Sequence, residues 1–68
     1  MYTIKVQNRN NGNWNTLYGF VDVTLEKCEK EFATFEYSSM SMNYQIVDEN
    51  GNVIRNWLTE QSWYKGNK

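Results

Sequence analysis

The sequence predicts an α+β fold, an antiparallel sheet of two hairpins with one helix packed on one face (ββαββ). Three observations predict it. One alternating segment surrounds a glycine turn near the start, a central segment repeats its apolar residues at helical spacing, and a second alternating pair surrounds another glycine turn. At 68 residues the chain is expected to form a single domain, 1–68. The ordered core is expected over about 2–58, with 59–68 packed back or partly disordered.

The first hairpin starts at Tyr2, Ile4 and Val6, which alternate with Thr3 and Lys5 as in a half-buried strand. Arg9-Asn10-Asn11-Gly12-Asn13 reads as a type I turn with Gly12 as the following bulge residue. Asn13 then pairs with Arg9, so Val6 faces Thr16, Ile4 faces Tyr18 and Tyr2 faces Phe20, with all the apolar groups on one face. A two-residue Asn11-Gly12 loop is the alternative, and it brings Leu17 beside Val6 and buries the other set. The first register keeps more aromatic area on one face and is preferred.

The helix is predicted from Thr24 to about Glu36. Leu25, Cys28, Phe32 and Phe35 stand at i, i+3, i+7 and i+10, one stripe of a 3.6-residue period. Thr24 serves as N-cap, and Val23 is placed to staple onto Cys28. Glu26 suits the positive end of the helix dipole, and Glu26–Lys30 is a favourably oriented i,i+4 pair.

Ser38 to Asn43 reads as a polar loop, and Tyr44 to Val47 as a strand. The turn Asp48-Glu49-Asn50-Gly51 has Asp at its first position and Gly at its fourth, again suiting a type I turn with a glycine bulge. Asn52 to Leu58 returns as the partner strand. Val47 then faces Val53 and Ile46 faces Ile54. In that register Tyr44, Ile46 and Ile54 look toward the helix, and Val47, Val53 and Trp57 lie on the far side. The expected core is Ile4, Val6, Tyr18, Phe20, Leu25, Cys28, Phe32, Phe35, Ile46 and Ile54. A chain this short buries only about 60% of its unfolded surface, so a subunit interface would help it, and a homo-oligomer is expected on that ground.

Several kinds of chemistry lack their residues. There is no histidine, which removes the commonest general base and metal ligand together. Cys28 is the single cysteine, lies on the apolar stripe and falls short of any zinc ligand count. The four glycines form no phosphate-cradling motif. No catalytic residue, cofactor or metal site is therefore expected, and an enzyme is the least supported class. The chain opens at Met1 without a basic–apolar–small leader, no apolar run approaches the ~20 residues that span a bilayer, and the lone cysteine fits a reducing compartment. The expectation is a cytoplasmic protein without membrane contact.

Seven bases against eight acids give a net charge of −1. Five acids and two lysines fall between Asp22 and Tyr37, which makes the helix the acidic surface, with Glu26, Glu29 and Glu31 on its exposed flank. The overall sign disfavours nucleic acid as a partner. Eleven aromatic residues are the unusual feature. Trp57, Trp63, Tyr64 and Tyr37 are the aromatics left over once the helix-facing core is filled. Either the tail folds back and Trp63 covers Trp57, or Val47, Val53, Trp57 and Trp63 form an exposed apolar patch flanked by Arg55 and Lys5. A patch with Trp and Arg at its centre is the composition of an interaction surface.

Trp14-x-x-Leu17-Tyr18-x-Phe20, Thr24-Leu25-Glu26-Lys27-Cys28-Glu29-Lys30-Glu31-Phe32 and Tyr44-Gln45-Ile46-Val47-Asp48-Glu49-Asn50-Gly51-Asn52-Val53-Ile54 together resemble the small stand-alone proteins of bacteriophage genomes, over roughly residues 1–58. The resemblance implies an accessory factor that binds a host enzyme or defence protein, or in some cases sequesters a nucleotide, and it carries no functional residue over.

The leading expectation is thus a non-catalytic protein-binding module, a phage accessory protein that inhibits or modulates a host protein. Its partner-binding residues would be Val47, Val53, Arg55, Trp57, Trp63, Tyr64, Glu26, Glu29 and Glu31. One alternative is an oligomer that sequesters a nucleotide, with Trp57, Trp63 or Tyr64 stacking the base and Arg55 or Arg9 holding phosphate. The other is a single-stranded nucleic-acid binder that stacks bases on the sheet.

Overall fold

A computed structural model describes residues 1–35 and 41–61. Four strands, β1 (Tyr2–Asn8), β2 (Trp14–Thr16), β3 (Met42–Asp48) and β4 (Val53–Asn56), form one antiparallel sheet in the order β2-β1-β3-β4. The helix α1 (Leu25–Phe32) packs on one face, so the α+β architecture of two hairpins and one helix is the one predicted. β1 and β3 are the inner strands, aligned over seven residue pairs. Ile4 lies opposite Ile46 at their centre, and these two residues and Cys28 are fully buried.

Thr24 caps the helix as predicted, its side chain accepting from the Lys27 N–H at 3.2 Å. The α-helix is shorter than expected. It ends at Phe32, and Ala33–Phe35 continue as a 3₁₀ turn. The Thr34 hydroxyl donates to the Glu31 carbonyl at 2.7 Å, a local bond that competes with the α-helical pattern. The tightened turn keeps Phe35 buried, stacked on Tyr44 with ring centroids 3.9 Å apart, while Phe32 meets Phe35 edge-on at 5.7 Å. Glu36 lies outside the described residues.

The first hairpin has neither of the two expected registers. Asn8 Oδ1 accepts from the Asn10 N–H and Asn11 Oδ1 from the Asn13 N–H, both at 2.9 Å. These side-chain bonds hold a four-residue loop between Asn8 and Asn13, whose backbones bond at 2.9 Å. Val6 therefore pairs with Asn15, and Trp14 and Thr16 fall on the opposite side, with Gln7 and Lys5. Tyr18, expected in the core, is 97% exposed. The strand breaks into a tight turn in which Phe20 N–H donates to the Leu17 carbonyl, with Gly19 at φ +88° where a type II turn requires a positive value. Leu17 and Phe20, not Tyr18, bond to the Ile4 backbone, each at 2.9 Å, and pack against the core.

The second hairpin turns as predicted. Asp48 Oδ1 accepts from the Asn50 and Asn52 N–H groups at 2.9 Å each, and Val47 faces Val53. Beyond that pair the register shifts by one residue, because Ile54 is an extra residue of a β-bulge and Arg55 stands opposite Ile46 in its place. Ile54, expected in the core, is exposed. Trp57, expected on the far side, lies beside Tyr44 on the helix side and is only 3% exposed. Trp57 and Leu58 complete a core of Ile4, Cys28, Phe32, Phe35, Tyr44 and Ile46. Among the described residues Asn43 is the buried polar one. Its Oδ1 accepts from the Tyr44 N–H at 2.8 Å and the Leu58 N–H at 2.9 Å, tying the 3₁₀ turn Leu58–Glu60 to β3.

Candidate functional site

The helix covers the face of the sheet that carries Ile4 and Ile46. Alternation and register place Thr3, Lys5 and Gln7 of β1, Trp14 and Thr16 of β2, Gln45 and Val47 of β3 and Val53 of β4 on the other face. Among the described residues no helix covers that face. It holds a shallow depression of about 280 Å³ lined by Lys5, Trp14, Gln45, Val47, Gly51 and Val53. Val47 forms its buried floor. Trp14 and Val53 stand at its two sides, 41% and 52% exposed.

Lys5 sits within this face, because β1 is an inner strand. Its Nζ donates to Thr16 Oγ1 at 3.2 Å, and it makes no ion pair with a described residue. No described acid lines the depression, though Asp22 borders the face, its N–H donating to Thr3 Oγ1 at 3.2 Å. Glu26, Glu29 and Glu31 are on the helix, Asp48 shares its side of the sheet with Tyr2, Glu49 pairs with the amino terminus and Glu60 pairs with Arg55. Among the described residues the face is thus polar but carries a single lysine, around a depression whose floor and sides are apolar.

A second groove, of about 310 Å³, runs between the end of the helix and β4, lined by Glu29, Phe32, Ala33, Arg55, Glu60 and Gln61 with Trp57 behind them. Arg55 is engaged within the fold there. Its guanidinium makes two hydrogen bonds to the Glu60 carboxylate and lies 5.0 Å from the centre of the Phe32 ring. Gln61 Nε2 donates to the Trp57 carbonyl at 2.9 Å.

The structure therefore brings together Val47 and Val53 of the expected patch, with Lys5 beside them, and takes Arg55 and Trp57 to the opposite face. The bulge at Ile54 is the physical reason, since a one-residue shift reverses the face of each residue after it. Trp63 and Tyr64 lie outside the described residues. Glu26, Glu29 and Glu31 ride on the helix, away from the open face, with Glu29 also lining the groove beside Arg55. Sequence reasoning missed Trp14 and Gln45. The loop length that turns Trp14 toward Lys5 is set by the asparagine side-chain bonds, and the run of asparagines was the available signal.

Burial raises the Cys28 thiol above its ordinary range, in keeping with a small apolar core group. Among the described residues no three His, Cys, Asp or Glu side chains converge on a metal-sized site, and no helix is long and apolar enough to cross a membrane. Compared with protein-family models, curated proteins and solved structures, the chain matches none.

Proposed function

We propose that this chain is a non-catalytic protein-binding module that holds its partner on the open sheet face, occluding that partner and not altering it chemically. The observation that carries the reading is the half-exposed indole of Trp14 across the depression from Val53, with Val47 as the floor between them. An aromatic anchor at the edge of an apolar depression, with Lys5 and Gln45 on its rim, has the composition of an interaction hot spot. A host-directed, inhibitory role belongs to the same proposal, because occlusion needs only a binding face.

The nucleotide-sequestering reading drew on Trp57, Trp63 or Tyr64 for the base and Arg55 or Arg9 for phosphate, of which Trp63 and Tyr64 lie outside the described residues. Trp57 is in the core and Arg55 is held by Glu60, so these two are engaged within the fold. Both sheet edges are also poorly built for strand addition. β2 is three residues long, and β4 is four residues long and bulged. The face, not an edge, is the binding surface of this proposal.

The test is site-specific photo-crosslinking in cells that express the chain natively. A photoreactive residue at Thr16, on the open face, is expected to yield a discrete protein adduct that disappears when Trp14→Ser is added. The same residue at Glu26, on the helix, is expected to yield none. An adduct from position 26 but none from position 16 would overturn the reading.

A further inference from the structure

Resting on that reading, we infer that the occupant of the open face is a short segment of a partner protein that presents a carboxylate beside an apolar side chain. The size of the face limits the occupant first. Four strands about 4.8 Å apart, of seven, three, seven and four residues at about 3.3 Å each, give a flat footprint of roughly 330 Å². A stable interface between globular partners takes about 800 Å² from each. The face suits a segment and falls short of what a docking domain needs.

Charge limits it further. A second copy packed face to face about a two-fold axis would bring both Lys5 ammonium groups into the interface. Among the described residues, none that lines the depression supplies a carboxylate to either. A partner carboxylate instead meets Lys5, whose present hydrogen bond is to a neutral hydroxyl. Trp14, Val47 and Val53 take the neighbouring apolar side chain, and Gln45 is placed to bond the segment's backbone. A nucleic-acid strand would need several cations to follow its phosphates, and the described residues of this face supply one.

The test is a selection of a random dodecapeptide display library on the folded protein, followed by affinity measurement on Lys5→Gln, Trp14→Ser and Val53→Ser variants. Amide NMR spectra of each variant establish that it is folded. Enriched peptides are expected to carry Asp or Glu next to an aromatic or aliphatic residue. They should shift the Lys5, Val47 and Val53 amides and the Trp14 indole, bind about tenfold more weakly to Lys5→Gln, and weaken as salt rises. On Lys5→Glu the selection is expected to turn to basic peptides.

Neutral or basic peptides that depend on Trp14 and Val53 but not on Lys5 would overturn the carboxylate inference and leave the binding face standing. Peptides indifferent to all three substitutions, or no enrichment, would overturn both. An oligothymidylate that shifts the Lys5 and Trp14 signals more strongly than any selected peptide would overturn the inference in favour of single-stranded nucleic acid.

Discussion

Trp57 meets Tyr44 edge-on, with ring centroids 5.4 Å apart and ring planes at 89°, on the helix side of the sheet. The contact extends the aromatic row of Phe32, Phe35 and Tyr44 by one ring and closes the core below β4. It exists because the bulge at Ile54 places Arg55 opposite Ile46 and so turns Trp57 toward the helix.

Replacing Trp57 by Ala should cost about 3–5 kcal/mol, a large part of what a domain this small has. Urea unfolding followed by circular dichroism measures it. A cost below about 1 kcal/mol, the range of exposed positions, would show that the indole does not fill the core.

Deleting Ile54 and deleting Asn56 should have different consequences. Without Ile54 the pairs Ile46–Arg55 and Gln45–Asn56 remain and the strand simply loses its bulge. Without Asn56, Arg55 stays opposite Ile46, and Trp57 moves opposite Gln45 onto the other face and so leaves the core. The first deletion is expected to retain a cooperative unfolding transition and the second to abolish it. Equal damage from both would contradict the bulge.

Asn43→Ala strands two backbone donors at once, the N–H groups of Tyr44 and Leu58. Each buried donor left unpaired costs about 1–3 kcal/mol. Amide hydrogen exchange should show the largest loss of protection at Leu58, where the turn is released from β3. Uniform loss across the sheet would mean that Asn43 supports global stability only.

Stability should form a plateau between roughly pH 5 and 8 and fall on both sides. The Asn52 and Asn50 backbone N–H groups hold the Asp48 carboxyl below its usual 3.8, and the bond from the amino terminus holds Glu49 below 4.5. A depressed carboxyl stabilises the fold above its unfolded value and stops doing so as pH falls through the folded one. The Met1 amine is raised above 8.0, chiefly by its bond to Glu49, so its contribution is present below pH 8 and fades as pH rises through the folded value. Melting temperatures across pH should therefore lose part of the acid limb in Asp48→Asn. N-terminal acetylation should flatten the start of the alkaline limb. Unchanged limbs would show that neither contact persists in solution.

Thr24→Ala should destabilise by about 1 kcal/mol and Thr24→Ser should recover most of it, because the hydroxyl alone accepts from the Lys27 N–H. Chemical denaturation of the pair checks this. A Ser variant as weak as the Ala one would assign the loss to the threonine methyl.

Features written in local chemistry were legible in the chain. Thr24 before Leu25, Cys28 and Phe32 states a capped amphipathic helix, and Asp48 before Gly51 states a turn that sets Val47 against Val53. The candidate site was legible to the same extent, since Val47, Val53 and Lys5 follow from alternation within one strand or across that one turn. Trp14 and Trp57 were not, because each lies past a point where one residue more or less decides its face.

The sequence by itself thus determined the elements, their order and the absence of histidine chemistry, because turns, caps and periodicity act over a few neighbouring residues. Only the tertiary structure decided which tryptophan is buried and which is offered. The asparagine bonds of the first loop and the bulge at Ile54 set the parity of β2 and β4 against the inner strands. That parity sends Trp57 to the helix side to fill the core and leaves Trp14 beside Lys5 on the open face.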